Sequence, residues 1–175
     1  RCVPPDHAES NYGMAMQTLF PNGVPTGCAV FRMEADAPDQ EAAALRYADL
    51  LPDLIDVLLL GVGEDGHIAS LFPNNASLQE RKRRVILITG PKPPFERLTI
   101  TPQVITKARS VFMMATGSAK AAMLCAALNN PNDIAALPAR LTLGGTWLMD
   151  HMLHHDNNAF IKKLNFTGEV NVKSY

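Results

Sequence analysis

No run of apolar residues in this chain approaches the roughly 18 that a membrane-spanning helix requires, so the sequence excludes transmembrane helices. A surplus of charge is lacking too. Sixteen basic residues (Lys+Arg 16) stand against 17 acidic ones, a formal net charge of −1. No global field therefore draws the chain to nucleic acid or to an anionic membrane surface, and an anionic ligand has to be held by a local cluster. Cys2, Cys28 and Cys125 are odd in number, widely spaced and without a CxxC pair. That argues against a disulfide framework or a zinc knuckle and fits a reducing, cytoplasmic setting. Initiator methionine, signal peptide and an obvious first strand are also lacking, and the expectation is of a chain that is N-terminally incomplete.

What is there suffices for a real core: 175 residues, 47% hydrophobic and 19% charged. No repeat, low-complexity stretch or linker divides it, so a single domain over residues 1–175 is expected. Residues 6–20 read as a helix stopped by Pro21-Asn22-Gly23, and residues 28–33 as a short strand. Residues 36–51 carry Ala42, Ala43, Leu45, Ala48 and Leu51 along one side, between Pro38-Asp39 and Pro52, as an amphipathic helix should. Residues 55–60, 84–89 and 110–115 are apolar, β-compatible and without strict alternation, which suits strands covered on both faces. An Ala-rich helix over residues 118–128 follows the last. This alternation predicts an α/β fold, Rossmann-like, with a largely parallel sheet flanked by helices.

In such folds ligands gather at the carboxyl ends of the strands. Three polar segments are expected there: residues 61–67, 90–97 and 116–120. The first, Gly61-Val62-Gly63-Glu64-Asp65-Gly66-His67, spells GxGxxG as letters. It lacks the glycine-rich helix entry and the acidic ribose ligand of a dinucleotide site, since basic residues 81–84 stand downstream instead. His67 is the better focus, since a histidine side chain can take a proton from water. Asp65 can orient its ring and stabilise the imidazolium. The competing account is a structural turn with a surface histidine. Lys120, at the start of the Ala-rich helix, and Arg97 are candidate anion ligands, against the alternative of solvated surface charges. His151, His154 and His155 have helical spacing but no HEXXH pattern, so a polar helix end outweighs a metal site. The run at 81–84 reads as a solvated turn, and the methionines at 14, 16, 33, 113, 114 and 123 as core fillers.

Together these segments resemble the 6-phosphogluconolactonases, within the larger glucosamine/galactosamine-6-phosphate isomerase group. "LLGVGEDGHIASLFP" (59–73) is the most specific signature, supported by "RCVPPDHAESNYGMA" (1–15) and "GPKPPFERLTIT" (90–101). "GSAKAAML" (117–124) and the LPA…W…D pattern of residues 137–150 fit the later part. In the deaminase branch of the group the histidine is typically followed by Ile-Ala-Phe-Asn-Glu-Pro, whose Glu assists ring opening. Here Ser70-Leu71-Phe72-Pro73 follows Ile68-Ala69, which favours the lactonase branch.

The resemblance implies an amino-sugar phosphate isomerase-like fold and hydrolysis of 6-phospho-D-glucono-1,5-lactone to 6-phosphogluconate, in the oxidative pentose phosphate pathway, with no metal or cofactor. His67 would be the general base and Asp65 its holder. Arg1 would lie close to the substrate, and Arg97 and Lys120 would bind the 6-phosphate. The turn carrying Gly61, Gly63 and Gly66 would approach the substrate and offer backbone N–H groups to the oxyanion. The partner implied is a small phosphosugar lactone, with no nucleic acid and no membrane. The family's amino-terminal strand and its Ser-Gly-Gly-Ser-Thr-Pro-like phosphate loop have no counterpart in these residues, hence the expectation of incompleteness. A glucosamine-6-phosphate isomerase or deaminase, or a non-catalytic or truncated sugar-phosphate-binding protein, are the other readings.

Overall fold

A computed structural model describes residues 1–150. Its centre is a parallel sheet of three strands in the order β1 (Val57–Gly61), β4 (Ser110–Ala115), β5 (Thr146–Met149). Val57 pairs with Ser110 and Gly61 with Met114, while Phe112 pairs with Thr146 and Ala115 with Met149. The apolar run at 55–60 thus becomes a strand that ends at the first glycine of the signature.

The expected strand at 84–89 forms as β2 (Val85–Thr89), but not in that sheet. It pairs antiparallel with β3 (Glu96–Ile100), Thr89 opposite Glu96 and Val85 opposite Ile100. The connection explains why. Gly90 donates its N–H to the Phe95 carbonyl at 2.6 Å, closing a short hairpin loop. A parallel partner would need a crossover of a dozen or more residues, roughly. So the loop at 90–97 belongs to a hairpin, not to a parallel-strand end.

Four α-helices surround these strands among the described residues. In α1 (Asn11–Leu19), the Ser10 side chain caps the first turn by accepting from the Gly13 N–H at 3.0 Å, so the helix begins later than residue 6. In α2 (Gln40–Leu50), Asp39 accepts from Ala42 N–H at 2.9 Å, and Ala43 and Ala44 are buried beside Val85 and Leu98 of the hairpin. The far end of α2 is held by Arg84, whose guanidinium donates to the carbonyls of Ala48, Leu51 and Pro52. Arg83 pairs with Glu41 and Glu80. The basic run is therefore structural at Arg84 and partly paired at Arg83, rather than merely solvated. Then come α3 (Pro102–Lys107) and α4 (Ala121–Asn129), the latter entered through a short 3-10 turn at Ser118–Lys120.

Residues 28–33 form no strand. Phe31 and Val30 are exposed, and no neighbouring strand pairs with this segment among the described residues. The main core lies between one face of the parallel sheet and α4, where Leu60, Met113, Ala115, Met123 and Leu124 pack with Ile68 and Leu71. The sheet's other face is open among the described residues: Val57, Leu59, Met114 and Leu148 are 57%, 63%, 50% and 47% exposed. The strands are apolar on both faces, as expected, yet only one face is covered here. Met14 and Met114 are likewise exposed, not core fillers. No helix among the described residues is long and apolar enough to cross a membrane.

Candidate active site

The chain leaving β1 turns back on itself at once. Gly63 N–H donates to the His67 carbonyl at 2.9 Å and Gly66 N–H to the Gly63 carbonyl at 3.0 Å. Val62 and Ile68 then form an antiparallel bridge, and Ile68 and Leu71 a second. Ile68 and Leu71 are fully buried, so the turn is anchored on its downstream side by core residues. Ala139 donates to the Gly66 carbonyl at 2.9 Å and ties the turn to the segment before β5.

Each glycine has its own reason. A Cβ on Gly63 would overlap the His67 ring, so only glycine lets the imidazole fold back over the turn. Gly66 has φ +78°, and a Cβ there would run into Leu137. Gly61 closes β1, and a Cβ on it would meet nothing within 4 Å. The amides of Gly63 and Gly66 are committed inside the turn. Oxyanion donation from those two, expected from the sequence, is therefore corrected: a turn closed by its own hydrogen bonds has used those donors.

His67 Nδ1 lies 2.5 Å from Asp65 Oδ1, and the same oxygen accepts the backbone N–H of His67 at 3.2 Å. Burial would raise the Asp65 pKa. The hydrogen bonds from the ring and backbone of His67, with the charge of its imidazolium form, outweigh this and hold the carboxyl below its ordinary value. An ionised Asp65 requires the proton on Nδ1, leaving the Nε2 lone pair to accept another. The imidazole is 32% exposed, reachable by water but not free to wander. That arrangement leaves a water-accessible Nε2 able to accept a proton, on a ring held at Nδ1 by a carboxylate.

The hairpin delivers the positive charge. Arg97, only 9% exposed, lies on β3 with its guanidinium carbon 5.4 Å from the centre of the Phe72 ring. Its Nε donates to Pro94 O at 3.1 Å and one Nη to Lys92 O at 3.2 Å, so the loop fixes the fork. The other Nη has no hydrogen-bond partner among the described residues. Burial depresses the pKa of Arg97, the positive charge of Arg1 depresses it further, and Glu9 acts in the opposite sense. Arg1 is brought there by the bond from Cys2 N–H to Glu96 O at 2.9 Å, and its guanidinium pairs with Glu9 at 3.2 Å.

Lys120 does not touch these groups. It immediately precedes α4, whose Met123 packs against Gly66, and so stands at the same end of the sheet. Its side chain makes no hydrogen bond or ion pair among the described residues. The Gly117 N–H, just ahead of the 3-10 turn, donates to the Asp150 carboxylate at 2.8 Å. His151, His154 and His155 lie outside the described residues. Among the described residues no group of three or more His, Cys, Asp or Glu is disposed to hold a metal ion.

Two contributors were not foreseen. Thr99, two residues from Arg97 on the same side of β3, accepts the Ser70 N–H at 3.1 Å and fastens the hairpin to the signature segment. Phe72 lies between His67 and Arg97. The period-two spacing of Arg97 and Thr99 was the available signal; Phe72 stood out only in the branch-distinguishing segment, and nothing local showed that it meets both His67 and Arg97.

An α/β sheet carrying a His–Asp pair in a turn at a strand's carboxyl end, with Arg97 brought up by a neighbouring hairpin, places the chain in the class of α/β proteins with a polar site at the sheet's carboxyl edge. The chain belongs to the family of glucosamine-6-phosphate isomerases/6-phosphogluconolactonase, whose model matches residues 1–149. It is 40% identical over 163 residues to the human protein named 6-phosphogluconolactonase, covering 86% of this chain and 62% of that one. The chain thus spans about three-fifths of that relative's length. Among solved structures, it is similar to a protein described as devB (30% identity, TM-score 0.79, 89% of this chain and 70% of that chain). It is also similar to 6-phosphogluconolactonase from Trypanosoma brucei, with 29% identity, a TM-score of 0.66, and 89% of this chain and 71% of that chain covered.

Proposed function

We propose that this chain carries the catalytic base of a 6-phosphogluconolactonase, hydrolysing 6-phospho-D-glucono-1,5-lactone to 6-phosphogluconate in the cytoplasm. The observation that carries this reading is the 2.5 Å contact between His67 Nδ1 and Asp65 Oδ1, in a turn built to hold the ring. His67 Nε2 takes a proton from water as the water oxygen attacks the lactone C1. The resulting tetrahedral centre collapses, the bond from C1 to the ring oxygen breaks, and the imidazolium returns the proton to that oxygen. Water is consumed, one ester bond is lost, and the enzyme ends as it began. Asp65 holds the tautomer and stabilises the imidazolium throughout. Arg97, with Arg1 beside it and Lys120 at the same sheet end, binds the 6-phosphate.

The deaminase reading is disfavoured by Phe72, which puts a buried ring where that branch carries its glutamate. The test uses freshly generated lactone coupled to 6-phosphogluconate dehydrogenase, on the full-length protein and its His67→Ala variant. A fall in kcat of about 10²- to 10⁴-fold is expected. Equal rates for the two proteins would overturn the general-base role. Release of ammonia from glucosamine 6-phosphate would support the deaminase, and binding of 6-phosphogluconate with no turnover of lactone would support a non-catalytic binder.

A further inference from the structure

Phe72 is buried, 6% exposed, in a small apolar cluster with Ile86 and Ile88 of β2. It also meets the two charged ends of the candidate site. Its ring centre lies 4.8 Å from that of His67, tilted by 38°, and 5.4 Å from the guanidinium carbon of Arg97. Both separations fall within the range of favourable aromatic and cation–π contact. The cradle is shaped for this arrangement: a Cβ on Gly90 would lie 2.9 Å from Arg97 Nε and 3.1 Å from Phe72 Cε2. The hairpin therefore approaches the signature segment closely enough to press Arg97 toward the ring.

We infer that Phe72 is a positioning residue, a shared platform that fixes the His67 imidazole and the Arg97 guanidinium relative to each other. The inference rests on the lactonase reading for what His67 and Arg97 do. His67 is held at Nδ1 by Asp65, but one hydrogen bond leaves the ring free to rock about it; the tilted contact with Phe72 limits that motion. Arg97 is tied by two loop carbonyls at one edge, and the Phe72 ring limits movement across its plane. The two functional groups come from segments far apart in sequence, and Phe72 touches both. Displacing the ring disturbs proton transfer and phosphate binding together, which a residue serving only the core would not do.

The test uses the full-length protein with Phe72→Leu, Gly90→Ala, Arg97→Met and the Phe72→Leu/Arg97→Met double variant. Thermal melting selects the variants that fold. Phe72→Leu is expected to raise KM for the lactone about tenfold and lower kcat by a similar factor. In the Arg97→Met background its effect on KM should shrink to less than about twofold, the signature of two residues acting as a unit. NMR of the free protein supplies a readout that needs no substrate. Three-bond couplings should report a single His67 χ1 rotamer in the wild type and averaging in Phe72→Leu. Gly90→Ala, whose new methyl group presses on Arg97 and Phe72, should shift the His67 ring resonances through Phe72 and serves if Phe72→Leu does not fold. Additive KM effects, together with an unchanged His67 rotamer and unmoved ring resonances in Gly90→Ala, would overturn the inference. A wild-type protein without lactonase activity would overturn the functional reading instead, and the NMR measurements would still decide the coupling.

Discussion

A side chain on Gly63 and the imidazole of His67 would occupy the same space. A Cβ there overlaps ring atoms and lies 2.5 Å from Asp65 Oδ1. Gly63→Ala should therefore expel the ring from its position over the turn. We expect kcat to fall about 10²-fold or more, since a displacement near 1 Å suffices for such a loss. Gly144→Ala is the control, because a Cβ there meets nothing within 4 Å. Circular dichroism with steady-state kinetics on both variants checks this.

Asp65→Asn should lower kcat by about 10²- to 10⁴-fold with KM little changed. The amide can still bond to the ring, but it offers no negative charge to the imidazolium and permits the wrong tautomer. A comparable rise in KM would show that Asp65 contacts substrate instead.

The pH behaviour of Asp65 has a definite sign. Its folded pKa lies below the ordinary value, against the burial that alone would raise it, because His67 donates to it. The stabilisation it contributes is therefore present above its unfolded value of about 3.9 and is lost as pH falls through the lower folded value. A carboxyl ¹³C titration should place its midpoint below that of an exposed aspartate, and His67→Ala should move the midpoint back up.

How much of this was legible in the sequence differs from segment to segment. The strands at 57–61 and 110–115, the helix at 40–50 and the Asp65–His67 pair were readable because each is set by neighbours in sequence. The strand Glu96–Ile100 was not: it opens with two charges, and its apolar Leu98 and Ile100 face a partner chosen by a loop. Residues 28–33 have strand composition without a strand, since pairing is decided by what lies alongside. The site followed the same division. The Asp65–His67 pair is local, whereas Phe72 gains its contacts with Arg97 only when the hairpin docks.

Arg84→Met should destabilise the protein by about 1–3 kcal/mol, leaving the carbonyls at the end of α2 without their donor. Its effect on kcat and KM should be negligible, because its bonds go to Ala48, Leu51 and Pro52. Urea unfolding monitored by fluorescence, alongside the coupled assay, measures both. A loss of activity at unchanged stability would contradict the structural role given to the basic run.

The outward face of the parallel sheet bears on how any of these numbers is obtained. Val57, Leu59, Met114 and Leu148 present adjoining hydrocarbon side chains from all three strands. In any preparation where that face meets water, molecules will adhere to one another through it, so particle size will depend on protein concentration, salt and temperature. Kinetic constants and melting points for such a sample become functions of dilution, and a series of concentrations belongs beside every variant.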